Sequence, residues 1–236
     1  MLDSQYPGLQ EFANNVALQY GLTEVIRQPL YDYQLYLAAG QLAMIFFQNP
    51  IGQGLSASPG NANNPKHLAD TNMQAPGALP APQAYFLERI EVDVDPGSVN
   101  TANTFTQQIP TTHTAVAAAG VQAGEADVNA IYSGGALTLT ISTKPYWQEG
   151  PLKRFPPSRA FRLDSSITSN SATTAIEMKA KLRVDGEPCY LTPGVGIVTS
   201  QNFNVTLSWP AVIATPSGFN GRIGVILRGW LFRGVQ

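Results

Sequence analysis

The residues able to do chemistry are few and scattered. His67 and His113 both fall in polar, loop-like stretches, and neither has a second His or Cys at metal-ligand spacing. Cys189 is the single cysteine, so no intrachain disulfide forms; it follows Pro188 in a short strand-like stretch rather than opening a helix that would activate its thiol. The chain has no Gly-x-Ser-x-Gly elbow, and Gly194-Val195-Gly196 lacks the third glycine and following helix of a phosphate cradle. The densest carboxylates are Glu88, Glu91, Asp93 and Asp95. Three of them alternate with Ile90, Val92 and Val94, which predicts one solvated or interfacial strand face rather than two acids across a cleft. A β-sandwich hydrolase using Glu88, Glu91 or Glu149 is the remaining catalytic alternative. The reading favoured is that the chain is not an enzyme, with no catalytic, cofactor-binding or metal-binding residue.

Binding chemistry is better represented. Lys153, Arg154, Arg159 and Arg162 form the one basic concentration, interleaved with Phe155, Phe161 and two prolines that argue against a helix. Arginines there can grip carboxylates of a neighbouring subunit in bidentate fashion, or simply lie in a solvated loop. Tyr146 and Trp147, in Pro145-Tyr-Trp-Gln148, offer rings either to a sugar or to a protein interface. Asn204-Val205-Thr206 matches a glycosylation sequon, read as chance because Met1-Leu2-Asp3-Ser4 opens no secretory signal. Synthesis in the cytosol is expected.

The elements that must position these residues are mostly strands. Leu9, Phe12, Ala13, Val16 and Tyr20 recur at helical spacing between Pro7 and Gly21, which predicts one helix. Thr23 to Gln48 carries Val25, Ile26, three tyrosines and Met44-Ile-Phe-Phe47, broken at Pro29 and Gly40, enough for two or three strands. Residues 49–83 are dense in Gly, Pro and Asn and read as a long loop, an interface candidate rather than a domain linker. Period-2 alternation then marks strands at Ile90–Val94, Leu137–Ile141, Ile176–Val184 and Phe203–Trp209, with a last one from Ile223. Asp185-Gly186 signals a tight hairpin. Long connections and the lack of alternating strands and helices predict an all-β, antiparallel β-sandwich of jelly-roll type. Residues 1–22 are expected to be a helical arm and residues 23–236 a single domain.

Composition says what the surface is for. Charged residues make up 13% of the chain against 44% hydrophobic, and net charge is −2. Ordinary soluble domains carry about 25% charged residues. An exterior of Asn, Gln, Ser and Thr loses little on desolvation, since uncharged amides and hydroxyls cost far less to bury than unpaired ions. Such a surface suits a protein that works covered by partners. With no Lys/Arg run at either terminus, direct nucleic-acid binding is not expected. No stretch has the length to span a bilayer.

Arg27-Gln-Pro-Leu-Tyr-Asp-Tyr-Gln-Leu-Tyr36, Phe46-Phe-Gln48, Asp70-Thr-Asn-Met73, Leu79-Pro-Ala-Pro-Gln83 and Gly221-Arg-Ile-Gly-Val-Ile-Leu-Arg-Gly-Trp230 resemble virion structural proteins of bacteriophages. That group includes jelly-roll coat proteins and the cement or decoration proteins that brace capsids. The resemblance implies a homo-oligomeric, trimeric or pseudo-hexameric capsid building block. Its partners would be itself and other capsid proteins, and its place the virion, assembled in the host bacterial cytoplasm. On this reading Leu9, Phe12, Val16, Tyr20, Arg154, Arg159, Tyr146 and Trp147 are interface residues, the helix reaches across to neighbours, and deleting residues 1–21 leaves the domain folded but impairs assembly. The rival reading is a glycan-binding or host-attachment module with Tyr146 and Trp147 as its platform.

Overall fold

A computed structural model describes residues 8–58, 64–95, 127–157, 189–216, 218 and 220–234, and the backbone alone of 162–169 and 176–183. The described chain is mostly β-strand, in curled antiparallel sheets, with a short N-terminal helix. Helix α1 covers Leu9–Tyr20, the span its apolar spacing predicts. Gly21 ends it in the left-handed region at φ 67°, and its N–H returns to the carbonyl of Ala17 at 3.0 Å. The strands are β1 (Glu24–Arg27), β2 (Leu30–Tyr36), β3 (Ala43–Phe46), β4 (Gln83–Asp95), β5 (Ala136–Ile141) and β6 (Lys144–Glu149). After them come β7 (Arg162–Ser169), β8 (Ile176–Arg183), β9 (Cys189–Ile197), β10 (Phe203–Ser208) and β11 (Gly221–Arg233).

The pairings are nested. The last strand, β11, pairs with the first, β1 and β2; β10 pairs with β3, β9 with β4, and β6 with β5. Two further pairings, β11 with β4 and β10 with β5, join these couples into two sheets, β1/β2-β11-β4-β9 and β3-β10-β5-β6. β7 and β8 pair with each other, and among the described residues with no other strand; they fall in sequence between β6 and β9. The Asp185-Gly186 turn signal lies outside the described residues, as does Arg159; the strands on either side of that signal take β7 and β4 as partners.

β1 and β2 are one strand in register. Glu24 faces Arg233 and Tyr36 faces Gly221, with no slip between them. Pro29, which has no N–H to give a ladder, interrupts the strand. The gap is stitched from inside by Tyr85, whose hydroxyl lies 2.8 Å from the carbonyls of both Gln28 and Leu227. Opposite the gap, β4 and β11 carry a bulge at Arg228/Gly229. A Cβ on Gly229 would sit 1.9 Å from the carbonyl oxygen of Phe86, so only glycine fits there.

Side chains of both sheets enter one apolar core: Tyr36, Phe46, Tyr85, Val92, Leu139, Val205, Val225 and their neighbours. The alternations read at 137–141 and 203–207 hold, with Leu137, Leu139 and Ile141 and then Phe203, Val205 and Leu207 all buried, while the burial of the Ile176–Val184 side chains lies outside the described residues. Beyond β9, the edge of β4 is finished by loop residues: Val92 N–H donates to the Phe155 carbonyl at 2.8 Å, and Tyr132 donates to the Val92 carbonyl at 2.6 Å. Tyr132 belongs to a helical stretch at 127–134.

α1 lies on the outer face of the β11-bearing sheet. Leu9 and Val16 pack with Ala84, Phe86 and Phe232, and the Phe12 ring lies 5.6 Å from that of Phe86 and 5.4 Å from that of Phe232. Two glycines of β9 make room for this aromatic layer. A Cβ on Gly196 would come within 2.3 Å of the Phe12 ring, and one on Gly194 within 2.4 Å of the Phe86 ring. Gly196→Ala is therefore expected to cost about 1–3 kcal/mol by overpacking, and Phe12→Ala about 2–3 kcal/mol by truncation. The double variant should lose less than the sum, because the methyl enters the space the ring vacates. Additive losses in urea unfolding would show that the helix does not press on β9.

Candidate functional site

The two sheets present unlike outer faces. On the β11-bearing sheet, β4 and β11 set charged residues side by side. Glu91 is fully buried, its Oε1 2.6 Å from Arg228 Nε and 3.5 Å from Arg89 Nε. The alternation of Glu91 with Ile90 and Val92 is as predicted, but the face is covered rather than solvated. Glu88 accepts a short hydrogen bond from Trp230 Nε1 and lies 3.8 Å from Arg27, whose guanidinium stacks over the Trp230 ring. Farther along, Arg222 lies over the Tyr33 ring at 4.0 Å, and the Tyr33 hydroxyl donates to Asp93 at 3.2 Å.

Residues 49–58 and 64–78 fold back over this end of the sheet. They enclose a polar hub. Asp70, fully buried, accepts from the hydroxyls of Ser56 and Ser58 at 2.6 Å each, from the backbone N–H of Ala57 at 3.1 Å and from that of His67 at 3.2 Å. The His67 ring, half exposed, sits 2.9 Å from the same carboxylate. Burial alone would lift the Asp70 carboxyl, but the Ser56, Ser58 and His67 donors together hold it below its ordinary value. Beside it, Lys66 Nζ lies 2.5 Å from Asp32 Oδ1, both side chains being out of solvent, and the Phe47 N–H donates to Asp32 Oδ2 at 2.7 Å. Burial pushes the Asp32 carboxyl up against the pull of Lys66. Tyr31 and Arg222 complete the seam by donating to the carbonyls of Leu68 at 2.5 Å and Ala69 at 2.6 Å. His67 is thus a structural partner of Asp70, and the described residues contain no group of three His, Cys, Asp or Glu able to hold a metal.

Sequence reasoning missed this hub, although β2 carried a signal for it. Asp32 shares the buried, inward side of that strand with Leu30 and Tyr36. Period-2 geometry therefore forces a carboxylate inside, where it needs a cation and donors.

The outer face of the β3-β10-β5-β6 sheet is the opposite in character. In register across its strands run Ile45, Thr206, Thr138 and Gln148, flanked by Ala43, Ser208 and Ala136 on one side and by Asn204, Thr140 and Pro145 on the other. No outward residue of these strands bears a charge. Ile45 at the edge is 50% exposed. Tyr146, at the irregularity between Leu139 and Thr140 in the β5–β6 ladder, is exposed, whereas Trp147 is paired with Leu139 and packs against the core. Trp147 Nε1 donates to Glu149 Oε2 at 3.0 Å, and Glu149 Oε1 lies 2.6 Å from Arg154 Nε. The two rings named as a sugar platform therefore do not share a face, and Arg154 already grips a carboxylate of its own chain.

Of the other residues named from sequence, Leu9, Phe12 and Val16 are spent on the chain's own sheet. Tyr20 and Leu18 point outward, 40% and 85% exposed. Cys189 is partly buried beside the core, and burial, with Glu149 nearby, raises its thiol above the ordinary range. No helix among the described residues is long and apolar enough to cross a membrane. No family model, curated protein or solved structure matches this chain.

Two outcomes test the polar face. Lys66→Met strands a buried carboxylate and is expected to cost about 3–5 kcal/mol in urea unfolding, with proteolytic opening of residues 49–78; adding Asp32→Asn should recover much of that loss. Burial also lifts Asp93 and Asp95, with mutual repulsion adding at Asp93 and Arg222 partly offsetting both. The folded chain then keeps these protons to higher pH than the unfolded chain, so stability falls as pH rises through the raised values. Asp95→Asn should melt above wild type near pH 7, with the difference closing near pH 3. Equal melting temperatures at both would refute the burial of that carboxylate.

Proposed function

We propose that this protein is a capsid building block of a bacteriophage, a jelly-roll coat or cement protein that acts through contacts with copies of itself and with other shell proteins. The nested strand order carries the reading. Pairing first with last, and so inward to β5 with β6, is what results when one long antiparallel ribbon is wrapped into two facing sheets, the jelly roll used by viral capsid domains, lectins and cupins.

Among those uses, the side chains favour the shell. A lectin needs a polar, aromatic-walled cradle, and Tyr146 and Trp147 diverge. A shell protein needs rigidity and coverable surface. Rigidity comes from the large two-sheet core and from the bracing of Ser56, Ser58 and Lys66 against Asp70 and Asp32, coverable surface from the uncharged outward residues of β3, β10 and β5. The likeness of residues 27–36 and 221–230 to virion proteins points the same way. The site of action on this reading is the virion, with assembly in the host cytoplasm.

The test is mass in solution followed by imaging. The purified chain should form oligomers, trimers among them, that increase with concentration and grow into particles of uniform size by electron microscopy. A monomer at every concentration, saturably binding a sugar on a glycan array, would overturn the proposal.

A further inference from the structure

We infer that Lys66 and Asp32 condense into an amide, so that the folded chain carries an isopeptide cross-link between β2 and the segment at 64–72, formed without a partner or cofactor. The inference goes beyond the shell reading and does not depend on it.

The fold brings the two reactants together and holds them there. Lys66 Nζ lies 2.5 Å from Asp32 Oδ1, and the two side chains are 2% and 0% exposed. Their backbones are fixed as well. Asp32 stands in the β2–β11 ladder opposite Val225 and bridges to Thr71. The Lys66 carbonyl accepts from the Gly52 N–H at 2.8 Å, and the Lys66 N–H donates to the Gln53 carbonyl at 3.4 Å. Groups held in reacting position reach effective concentrations of about 10⁵ M and above, which is what a sluggish amine and a carboxylic acid need.

A donor is aimed at the acid from the other side. The Phe47 N–H donates to Asp32 Oδ2 at 2.7 Å, and Phe47 is a fully buried, non-glycine residue at φ 70°. A bulky side chain in the left-handed region is costly, and such conformations gather where a backbone group has to be aimed. This N–H stands where an oxyanion donor would. Burial lifts the Asp32 carboxyl toward its neutral, electrophilic form, against the pull of Lys66.

The step balances from these groups alone. Nζ gives one proton to Oδ1 across their contact and attacks Cγ, so the C–N bond forms while negative charge gathers on Oδ2 under the Phe47 N–H. Nζ then gives a second proton to Oδ1, the Cγ–Oδ1 bond breaks, and Oδ1 leaves as water. An ammonium and a carboxylate enter; an amide and one water leave, with nothing oxidised or reduced. Direction follows from burial. Two ions out of solvent carry a desolvation cost that their attraction offsets only in part, whereas the amide carries no charge, and a site closed to water resists hydrolysis back.

Mass spectrometry of the full chain, purified, denatured and digested with trypsin, tests this. Between Arg27 and Arg89 the one tryptic site is Lys66, so an unlinked chain yields peptides 28–66 and 67–89. Wild type is expected to yield mainly a single peptide 28–89, uncut after Lys66 and lighter by one water, with fragment ions that place the link between Asp32 and Lys66. Lys66→Arg keeps the cation but presents a guanidinium that stays protonated and does not attack, so it should give the cut pair at full mass. Asp32→Ala, with no carbonyl to attack, should do the same. The decisive reading is on wild type, so a variant that folds poorly leaves the test intact. A wild type that yields mainly the cut pair at full mass would overturn the inference. So would a water lost from peptide 28–66 with Lys66 still cleaved, or one still lost in Lys66→Arg, since either assigns the loss to another group.

Discussion

The pairing of the chain's last strand with its first is the constraint on which the rest of the structure depends. β11 runs thirteen residues through the middle of its sheet, with β1 and β2 on one edge and β4 on the other. Nothing local brings it there, because some two hundred residues separate Glu24 from Arg233. Closing so long a loop is entropically expensive, and that cost rises only slowly with loop length. What offsets it is area. β11 buries Ile223, Val225, Leu227 and Leu231 in the common core and Phe232 beneath α1, so both faces of one strand become interior at once. The bulge at Gly229 and the proline break at Pro29 fall opposite each other, and Tyr85 bridges them, so the strand bends where its neighbour is weakest.

From that closure follow the different fates of the two outer faces. The strands around β11 gather Arg89, Arg222, Arg228, Glu88, Glu91, Asp93 and Asp95 on one surface, and covering such a surface is costly unless every ion finds a partner. The chain answers part of this internally: Arg228 with Glu91, Arg222 over Tyr33, Arg27 over Trp230, and a loop whose Asp70 is saturated by hydroxyls and amides and whose Lys66 pairs with Asp32 of β2. The β10-bearing sheet turns hydroxyls and small apolar groups outward along β3, β10 and β5, and its one described ion pair, Glu149 with Arg154, sits at the end of β6.

Much of this architecture was legible in the sequence, because period-2 alternation is a direct imprint of a half-buried strand. Thr138, Thr140, Asn204, Thr206 and Ser208 were readable as an uncharged outer face for that reason, and the helix could be bounded at Leu9 and Tyr20 from spacing and Gly21 alone. What could not be read was which face each amphipathic element would find. Leu9, Phe12 and Val16 form an apolar stripe equally suited to a neighbour's surface or the chain's own. The deciding facts, Gly194 and Gly196 clearing space and Phe86 and Phe232 filling it, lie far away in sequence. The polar hub was hidden for a similar reason. Ser56, Ser58, Lys66 and Asp70 look like ordinary loop residues until Asp32 is placed inside.

The low overall charge therefore has a more specific meaning than solubility or its lack. On the outer face of the β11-bearing sheet charge is gathered and paired in part by geometry, as where Arg228 meets Glu91. The other sheet is left to hydroxyls and small apolar groups, whose contacts are individually weak and nearly indifferent to salt. An interface of that kind cannot be strong through any single residue. On the shell reading proposed above, strength would come from repetition, many small seats occupied together, a regime in which a rigid subunit outperforms a flexible one because little ordering entropy is lost each time a seat is filled.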